Sequence, residues 1–512
     1  MSLTRRSLLR SIASLAPITI LPGCTERKSS SSPVSLSVFC AAGLRKPLEQ
    51  AASDFLTTTS ASVRFQFGGS GTLLSQLKVV KTGDLFVAAD EETLALAKKL
   101  DVIREVFPLA LQAPVIAVQS GNPKSVKGLQ DLLRADVRVA LANPEAASVS
   151  KVAKKALGPS WESLAAKATV MKPTVTEIAA DLTLGAVDAA IIWDSTIAQF
   201  RGLEAVLVPE FSNNTEQASI AVLSSCEQPK EALRFARFLA AESKGGTAFS
   251  AHGFKHIAGD AWSDQPELIL YSGGVNRPAV EAVLRRFSER EGISLTTVFN
   301  GCGVLCASMK AMEDASNPRF PDVYYACDLC FVPPVAEQFP EAILLTETEI
   351  GIVVKPENPK NIKTLSDLAA EGIRMGICNA EQSTLGFMTR GILKSSGLLE
   401  SIRKNVVVEV PTADFLVNQL RAGSLDAAIV YKVNALASSS DLQFIPLKHP
   451  GAKAVQPFAV RKDSPHRQSA LRLLDFLKAN RSDFESAGFL WRGNESAIKS
   501  KEIVLPEWLK EK

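Results

Sequence analysis

Short apolar runs alternate along the chain with segments in which apolar residues recur every three to four positions. Runs such as "LSVFC", "RVALA" and "AAIIW" are apolar throughout, which is typical of β-strands covered on both faces. The segments "LEQAASDFL" and "EALRFARFLAA" have the spacing of amphipathic helices. This alternation predicts an α/β fold with largely parallel sheets. Ligands of such sheets bind beyond the carboxyl ends of the strands.

The same buried strand occurs twice, as "DAAIIW" from Asp188 and "DAAIVY" from Asp426. Other blocks repeat in the same order, among them "FGGSGTLLSQLK" from Phe67 and "FNGCGVLCASMK" from Phe299. An ordered set of repeats indicates a tandem duplication. The organisation predicted from the repeats is a first unit at 34–258, a short polar linker at 259–266, a second unit at 267–490 and a C-terminal tail at 491–512. We expect the two units to fold separately.

The first 24 residues are typical of a processing segment. A basic stretch, "TRRSLLR", precedes an apolar run that is too short for a permanent membrane span. The stretch resembles a twin-arginine export signal with Leu8 at a usual Phe position, and "LPGC" resembles a lipobox with an unusual Pro22. We therefore expect a lipoprotein signal peptide at 1–24, a lipidated Cys24, and a flexible tether at 25–33. The alternative is a plain secretory signal in which Cys24 is incidental. Either signal predicts export, and the lipid anchor predicts the periplasmic face of a membrane.

Composition and charge exclude several classes of function. The 512 residues are 46% hydrophobic and 22% charged, and the net charge is +3, which gives no basic field for nucleic acid. Four histidines in the chain argue against a His-rich metal site. In contrast, the turns that precede predicted helices are rich in small residues, as at Gly43, Ser70 and Gly71. Free N–H groups at helix starts bind anions without any lysine.

Five motifs of the first unit, "CAAGL", "GGSGT", "GDLFVAAD", "ANPEAAS" and "GAVDAAIIW", resemble those of a known family. Each unit is similar to the substrate-binding protein of molybdate and tungstate ABC importers, a type II periplasmic binding protein. The resemblance implies two α/β lobes per unit with a ligand cleft between them. It also implies a small oxyanion as ligand, ABC-importer membrane subunits as partners, no cofactor and no enzymatic activity.

The family holds its oxyanion with three hydroxyls and several backbone amides. Carried over to this chain, the positions for a first serine, a second serine, two backbone amides and a tyrosine are, in that order, Gly43, Ser70, Val149, Val175 and Trp193 in the first unit, and Gly274, Cys302, Leu385, Ala413 and Tyr431 in the second. Each unit thus keeps one of the three hydroxyls, and the two units keep different ones. The resemblance implies that the pockets have diverged, and either unit alone can be a scaffold without ligand.

Five of the eight cysteines lie in the second unit: Cys302, Cys306, Cys327, Cys330 and Cys378. Three predicted strand ends direct sulfur toward one region. The possibilities are a disulfide such as Cys327–Cys330, buried core thiols, or a soft-metal site using Cys302, Cys327, Cys330 and Cys378. The corresponding alternative functions are a soft-metal or thiol-redox protein, and an enzyme with Cys302 as nucleophile. The enzyme is disfavoured because no histidine stands in any matched block of the cleft to serve as a base.

An aspartate at matching positions in both units and a tryptophan of the first unit are two further candidates. Asp90 and Asp328 occupy matching positions, and we interpret both as caps of the helices that follow them. Trp193 ends a buried strand, where a tryptophan belongs either to the core or to the pocket wall.

Overall fold

The computed structural model describes residues 34–312, 317–436 and 441–509 of the 512-residue chain. The predicted signal peptide at 1–24, its Cys24 and the tether at 25–33 lie outside the described residues. Within the described ranges, every helix is too short or too polar to cross a membrane.

The first unit is built from short strands and helices in alternation. Its strands are β1 (Ser35–Ala41), β2 (Ser62–Gly68), β3 (Leu85–Ala88), β4 (Ile103–Gln112), β5 (Pro114–Gln119), β6 (Val139–Ala142), β7 (Val170–Lys172), β8 (Ala189–Trp193), β9 (Leu203–Val206), β10 (Glu216–Leu223) and β11 (Lys255–His256). Its helices are α1 (Arg45–Thr59), α2 (Ser70–Leu77), α3 (Glu91–Lys99), α4 (Ser148–Leu157), α5 (Ser160–Lys167), α6 (Val175–Thr183), α7 (Asp194–Ile197), α8 (Pro229–Ala240) and α9 (Thr247–Ala251).

These strands form two sheets, one in each lobe of the first unit. The first lobe has the order β11-β4-β10-β3-β1-β2, and the second has β7-β6-β8-β5-β9. The strands β1, β2 and β3 are parallel, as are β6, β7 and β8, whereas β10 and β5 run antiparallel to their neighbours. The prediction of parallel, buried strands is therefore confirmed for β6 and β8, whereas in β1 Ser37 is only partly buried. The antiparallel strands β10 and β5 make each sheet mixed.

The second unit repeats this order of elements. Its strands are β12 (Glu267–Gly273), β13 (Ser294–Asn300), β14 (Val323–Tyr325), β15 (Glu341–Val354), β16 (Met375–Cys378), β17 (Val406–Val410), β18 (Ala427–Tyr431), β19 (Gln443–Pro446), β20 (Lys453–Val460), β21 (Leu490–Trp491) and β22 (Ile498–Lys499). Its helices are α10 (Arg277–Glu291), α11 (Cys302–Ala311), α12 (Thr384–Ser395), α13 (Leu399–Arg403), α14 (Ala413–Arg421), α15 (Lys432–Leu436), α16 (Arg467–Ala479) and α17 (Arg481–Ser486).

One long strand, β15, replaces both β4 and β5 and joins the two lobes of the second unit in a single sheet path, β13-β12-β14-β20-β15-β18-β16-β17. Pro114 stands opposite Trp193 in the first unit, where Ile350 stands opposite Tyr431 in the second. The Ile350 N–H donates to the carbonyl of Ala452 at 2.9 Å. Proline has no N–H to donate, which explains why the strand is interrupted at Ala113 in the first unit. The tandem duplication and the two-lobed α/β units are confirmed at the level of topology.

The two units contact each other through charged side chains. Arg237 of α8 donates to the carboxylate of Glu291 at 3.2 Å and to its carbonyl at 2.7 Å, and Arg472 of α16 donates to the same carboxylate at 2.7 Å. In the linker, Asp260 accepts the N–H groups of Gln468 and Ser469 at the start of α16. In an isolated second unit, Glu291 would still have Arg472 as a partner. The contact between the units therefore does not contradict separate folding, which stays a prediction.

The segment after residue 490 packs against the second unit. Strand β22 pairs with β15, and Leu509 is buried in the core. The Trp508 ring lies so close to Gly451 that an added Cβ there would come within 2.3 Å of it. The part of the tail up to residue 509 therefore contributes to the fold of the second unit.

Candidate functional site

The five residues predicted for the first site surround one cavity between the lobes. Gly43 and Ser70 approach it from the first lobe, and Val149, Val175 and Trp193 from the second. All five are buried. The cavity has a volume of about 20 Å³, which is close to the space of one water-sized sphere. The structure thus brings the predicted residues together in a closed cleft.

Three helices begin at this cavity. The first residues of α2, α4 and α6 are Ser70, Ser148 and Val175, and all three line it. The first N–H groups of a helix have no partner within the helix, and the helix dipole adds positive potential there. The short helical turn that precedes α1 also lines the cavity, through Ala42 and Gly43. Helix starts arranged in this way are able to bind an anion through backbone groups.

Glycine allows the start of α2 to touch the opposite lobe. A Cβ on Gly69 would lie 2.2 Å from the carbonyl oxygen of Ala146 and 2.7 Å from that of Pro173. The N–H of Gly71 donates to the same Ala146 oxygen at 3.0 Å. The lobes are therefore in backbone contact beside the cavity, and a larger residue at position 69 would hold them apart.

Two side chains at the cavity offer different groups to a ligand: Ser70 has a hydroxyl, and Trp193 has an indole. Ser70 Oγ accepts the N–H of Ala89 at 3.1 Å, which leaves its own proton for a ligand. A Cβ on Gly43 would lie 3.1 Å from Val175 Cγ1 and 3.7 Å from Trp193 Cδ1. A serine at position 43 would therefore need its neighbours to shift. Trp193 is both a core residue of its lobe and a wall of the cavity.

A group of four side chains, which we call the polar latch, links the lobes of the first unit. Asp90 caps α3 by accepting the N–H of Thr93 at 2.8 Å, as predicted. From the second lobe, Lys151 Nζ reaches Asp90 Oδ1 at 3.3 Å and Thr93 Oγ1 at 2.8 Å, and the hydroxyl of Ser148 donates to Asp90 Oδ2. Asp90 is completely buried. Sequence reasoning missed this latch because Lys151 is spaced like a solvent-facing helix residue.

The second unit has the same framework with one correction to the predicted site. In both units the first strand runs directly into a three-residue helical turn, Ala42–Leu44 or Gly274–Asn276. Gly274 is therefore the counterpart of Ala42, and Val275 is the counterpart of Gly43. The sequence prediction, which placed the first serine position of the second unit at Gly274, was therefore displaced by one residue. Gly274 still lies at the cleft, since its Cβ position is 3.6 Å from Thr412 Cγ2 of the second lobe.

The other predicted residues of the second unit occupy the expected ends of elements. Cys302 begins α11, Leu385 is the second residue of α12, Ala413 begins α14, and Tyr431 ends β18. All four are buried. Burial raises the pKa of Tyr431, and the nearby Cys327, Asp328 and Cys302 raise it further. Its side chain therefore lies within electrostatic range of the first lobe's cysteines. Among the described residues the Tyr431 hydroxyl has no hydrogen-bond partner.

Two sulfur atoms meet in this cleft. Cys302 Sγ accepts the N–H of Cys327 at 3.1 Å, and the two thiol groups are close enough to act on each other's pKa. Burial opposes ionisation of Cys302, but the hydrogen bonds, chiefly from Cys327, outweigh it and lower the pKa of Cys302 to about 7. The pKa of Cys327 is raised well above its ordinary value by the hydrogen bond to Cys302 and by burial. Of the two thiols, Cys302 is therefore the one that ionises first.

The remaining cysteines do not complete a metal site. All seven described cysteines are free, so no Cys327–Cys330 disulfide is present among them. Cys378 lines a different cavity, of about 260 Å³, together with Asn379 and Arg390. The described residues contain no group of three or more side chains that could hold a metal ion. The alternative of a soft-metal site formed by Cys302, Cys327, Cys330 and Cys378 is therefore wrong, because Cys378 lies at a separate cavity.

The counterpart of the polar latch in the second unit is aromatic. Phe331 and Phe387, which stand where the first unit has Thr93 and Lys151, make an edge-to-face contact with ring centroids 5.9 Å apart. We call this pair the aromatic latch. Asp328 accepts the N–H groups of Cys330 and Val455 at 3.0 and 2.9 Å, so its predicted role as a cap is confirmed. Burial raises the pKa of Asp328 to about 6.

Both units match the same family of known proteins. The family model for bacterial extracellular solute-binding proteins matches residues 36–255 and 268–490. A binding protein of Haemophilus influenzae is 27% identical over 221 residues, which cover 43% of this chain and 90% of that protein. The molybdate-binding protein ModA of Mycobacterium bovis is 27% identical over 237 residues, which cover 43% of this chain and 87% of that protein. The solved structure of the periplasmic molybdate-binding protein of Azotobacter vinelandii is 18% identical with a TM-score of 0.37, over 43% of this chain and 98% of that one.

Proposed function

Because the chain belongs to the family of bacterial extracellular solute-binding proteins and carries two family units in tandem, we propose that it captures a small oxyanion of the molybdate and tungstate type for an ABC importer. Two relatives that are 27% identical over their aligned regions are named molybdate-binding proteins. The observation that carries the proposal is the convergence of three helix starts and the Ser70 hydroxyl on one cavity of the first unit.

The ligand is held by hydrogen bonds and by closure of the lobes. Each hydrogen bond from Ser70 or from an N–H group at a helix start to a charged oxygen contributes roughly 1.5–3 kcal/mol. The closed cavity of about 20 Å³ is too small for a tetrahedral oxyanion, so the lobes separate to admit the ligand. Lys151 and Ser148 contact Asp90 in the closed, ligand-free form, which the polar latch stabilises, and the lobes close less tightly around a bound oxyanion. The binding step involves no covalent chemistry.

The export signal and the lipobox-like "LPGC" support a lipid-anchored location for the protein. We infer that Cys24 becomes the lipidated first residue of the mature chain and holds it at the periplasmic face of a membrane. The test compares the native protein with Cys24→Ala after cell fractionation. The native protein is expected with the membranes and the variant in the soluble periplasmic fraction. Equal distribution of the two would contradict the anchor.

The oxyanion proposal is tested by thermal melting with molybdate, tungstate, sulfate and phosphate. A ligand at 100 times its dissociation constant stabilises the folded state by about 2.7 kcal/mol. Ser70→Ala is expected to weaken binding by roughly 1.5–3 kcal/mol because it removes one hydrogen bond to a charged ligand. Ser75→Ala is the matched control, since Ser75 lies on the same helix and is exposed. Ligand-free protein that melts identically with all four anions would refute the proposal.

An enzymatic function is supported less well. Cys302 is at a helix start and has a lowered pKa, as a nucleophile requires. However, the neighbours that act on its pKa are Cys327, Thr384 and Tyr324, and a thiol enzyme needs a positioned base to move protons to and from its substrate. The geometry therefore favours a binding role for this residue.

A further inference from the structure

The second cleft has a sulfur atom where the first has a serine oxygen, and a second sulfur beside it. In the first unit the N–H of Ala89 donates to Ser70 Oγ at 3.1 Å. In the second unit the N–H of Cys327 donates to Cys302 Sγ at the same distance. The backbone geometry is thus retained while the oxygen becomes sulfur. Cys327 places a thiol where the first unit has only the methyl group of Ala89.

The second thiol has a place built for it. A Cβ on Gly273 would lie 2.2 Å from Cys327 Sγ, so the sulfur fills the space that glycine leaves open. The backbone of Val275, the counterpart of Gly43, lies beside the same sulfur. In the first unit the turn at this position borders the cavity. In the second unit, therefore, the Cys327 thiol lies beside the turn that borders the cavity in the first unit.

Two buried hydroxyls of the opposite lobe lie near the sulfur pair. Thr384 begins α12, and its hydroxyl lies beside both sulfurs but has no hydrogen-bond partner of good geometry among the described residues. Tyr431 ends β18, and its hydroxyl is likewise unpartnered within the described chain. Both residues are at most 3% exposed. Buried hydroxyls without partners are costly, so these two groups indicate a ligand that carries oxygen.

We propose that the second cleft binds a trivalent, thiophilic oxyacid of the arsenous acid class, with Cys302 and Cys327 both bonded to its central atom. The inference rests on the proposed function, because it assigns a ligand class to the cleft of the second family unit. Soft thiolates select soft central atoms. A copper(I) ion or a disulfide would use the sulfurs but leave both hydroxyls unpartnered. A trivalent oxyacid keeps a hydroxyl group for Thr384 and Tyr431.

The reaction is an exchange of ligands on the central atom. Arsenous acid has three hydroxyl groups. Two arsenic–oxygen bonds break and two arsenic–sulfur bonds form, and the departing hydroxyls leave as two water molecules with the two thiol protons. If Cys302 is already ionised, its proton comes from solvent. Arsenic stays trivalent throughout, so the step needs neither an oxidant nor a reductant.

The test uses the full chain, reduced with a phosphine and desalted, with arsenite as the probe and arsenate as the matched pentavalent control. Native mass spectrometry is expected to show one adduct with the mass of arsenous acid less two waters. Cys302→Ser and Cys327→Ala should each abolish this adduct, and Tyr431→Phe should weaken it about tenfold, which corresponds to one hydrogen bond. Cys306→Ala and Cys330→Ala are cysteine controls and should retain it. Arsenate should give no such adduct.

Several outcomes would overturn the assignment. These are no adduct with the native chain, an adduct that survives both Cys302→Ser and Cys327→Ala, or a copper(I) adduct on the pair without an arsenite adduct. The proposed oxyanion function is tested separately in the same preparation, as stabilisation by molybdate in the Cys302→Ser/Cys327→Ala double variant. Stabilisation by molybdate without an arsenite adduct overturns only the second-cleft assignment. An arsenite adduct in protein that no hard oxyanion stabilises overturns the proposed function instead.

Discussion

The two clefts are built on one backbone plan and differ in how the lobes are joined across them. In the first unit the polar latch closes the cleft with a buried carboxylate, two hydroxyls and an ammonium group. In the second unit the aromatic latch takes that place, and the matching carboxylate, Asp328, accepts the backbone N–H groups of Cys330 and Val455. A duplicated fold thus keeps its helix starts, which depend on backbone, while the side chains around them change. The two clefts have therefore diverged in the chemistry of their side chains, while the geometry of their backbone is retained.

The largest difference that the comparison predicts is the effect of removing a latch cation. Lys151→Met leaves Asp90 buried without its ammonium partner, and loss of one partner from a buried pair costs about 3 kcal/mol. The measurement is the free energy of unfolding of the first unit by urea denaturation. Lys154→Met on the same helix is the control, because the Lys154–Glu162 pair is largely exposed and such pairs contribute about 1 kcal/mol or less. Equal effects of the two substitutions would contradict the latch.

A pH titration sharpens the same comparison in the second unit. Burial raises the pKa of Asp328 to about 6 from an ordinary value of 3.8, so the folded state favours the protonated acid. Its stabilising contribution is complete below about pH 3.8 and is lost as the pH rises through about 6. The expected loss is roughly 3 kcal/mol, from two pKa units. Asp328→Asn should flatten this part of the pH dependence of stability. A parallel profile for native and variant chains would show that Asp328 titrates normally.

The sequence predicted the framework better than the side-chain partnerships. The strands β8 and β18 are apolar over their whole length, and such runs are recognisable because both faces are buried. All five predicted residues of the first site line its cavity. The prediction for Gly274 was one position off, because Val275 is the counterpart of Gly43. The register of β1 with β3, compared with that of β12 with β14, fixes which residues of the two units correspond.

The missed contacts depend on geometry that spacing does not encode. Lys151 lies one turn inside α4, and only the angle between the lobes brings it to Asp90. Cys378 ends β16 and was expected beside Cys302 and Cys327. Its side chain instead lines a separate cavity with Asn379 and Arg390. Residues at strand ends share an edge of the sheet, but alternate side chains point to opposite faces, so proximity of the ends did not imply proximity of the sulfurs.

The smallest expected effect on stability distinguishes the two aromatic residues at the ends of β8 and β18. Tyr431→Phe removes a buried hydroxyl that has no partner among the described residues. Such a group contributes desolvation cost without a hydrogen bond, so its removal should leave the free energy of unfolding unchanged or slightly raised. Trp193→Phe removes part of a side chain that is 2% exposed and packed in the core of its lobe, and should lower stability by about 1–2 kcal/mol.

Ligand binding should respond in the opposite order. Tyr431→Phe is expected to lower the affinity of the second cleft for an oxygen-bearing ligand by about tenfold, because the hydroxyl gains a partner only when the ligand is bound. Trp193→Phe should change oxyanion affinity in the first cleft much less, since the indole acts there mainly by packing. Unfolding and calorimetric titration of both variants in the full chain give the four values. If Tyr431→Phe destabilised the ligand-free protein by 1 kcal/mol or more (the scale of one lost hydrogen bond), its hydroxyl would be a structural group, and the functional contrast between the two strand ends would fail.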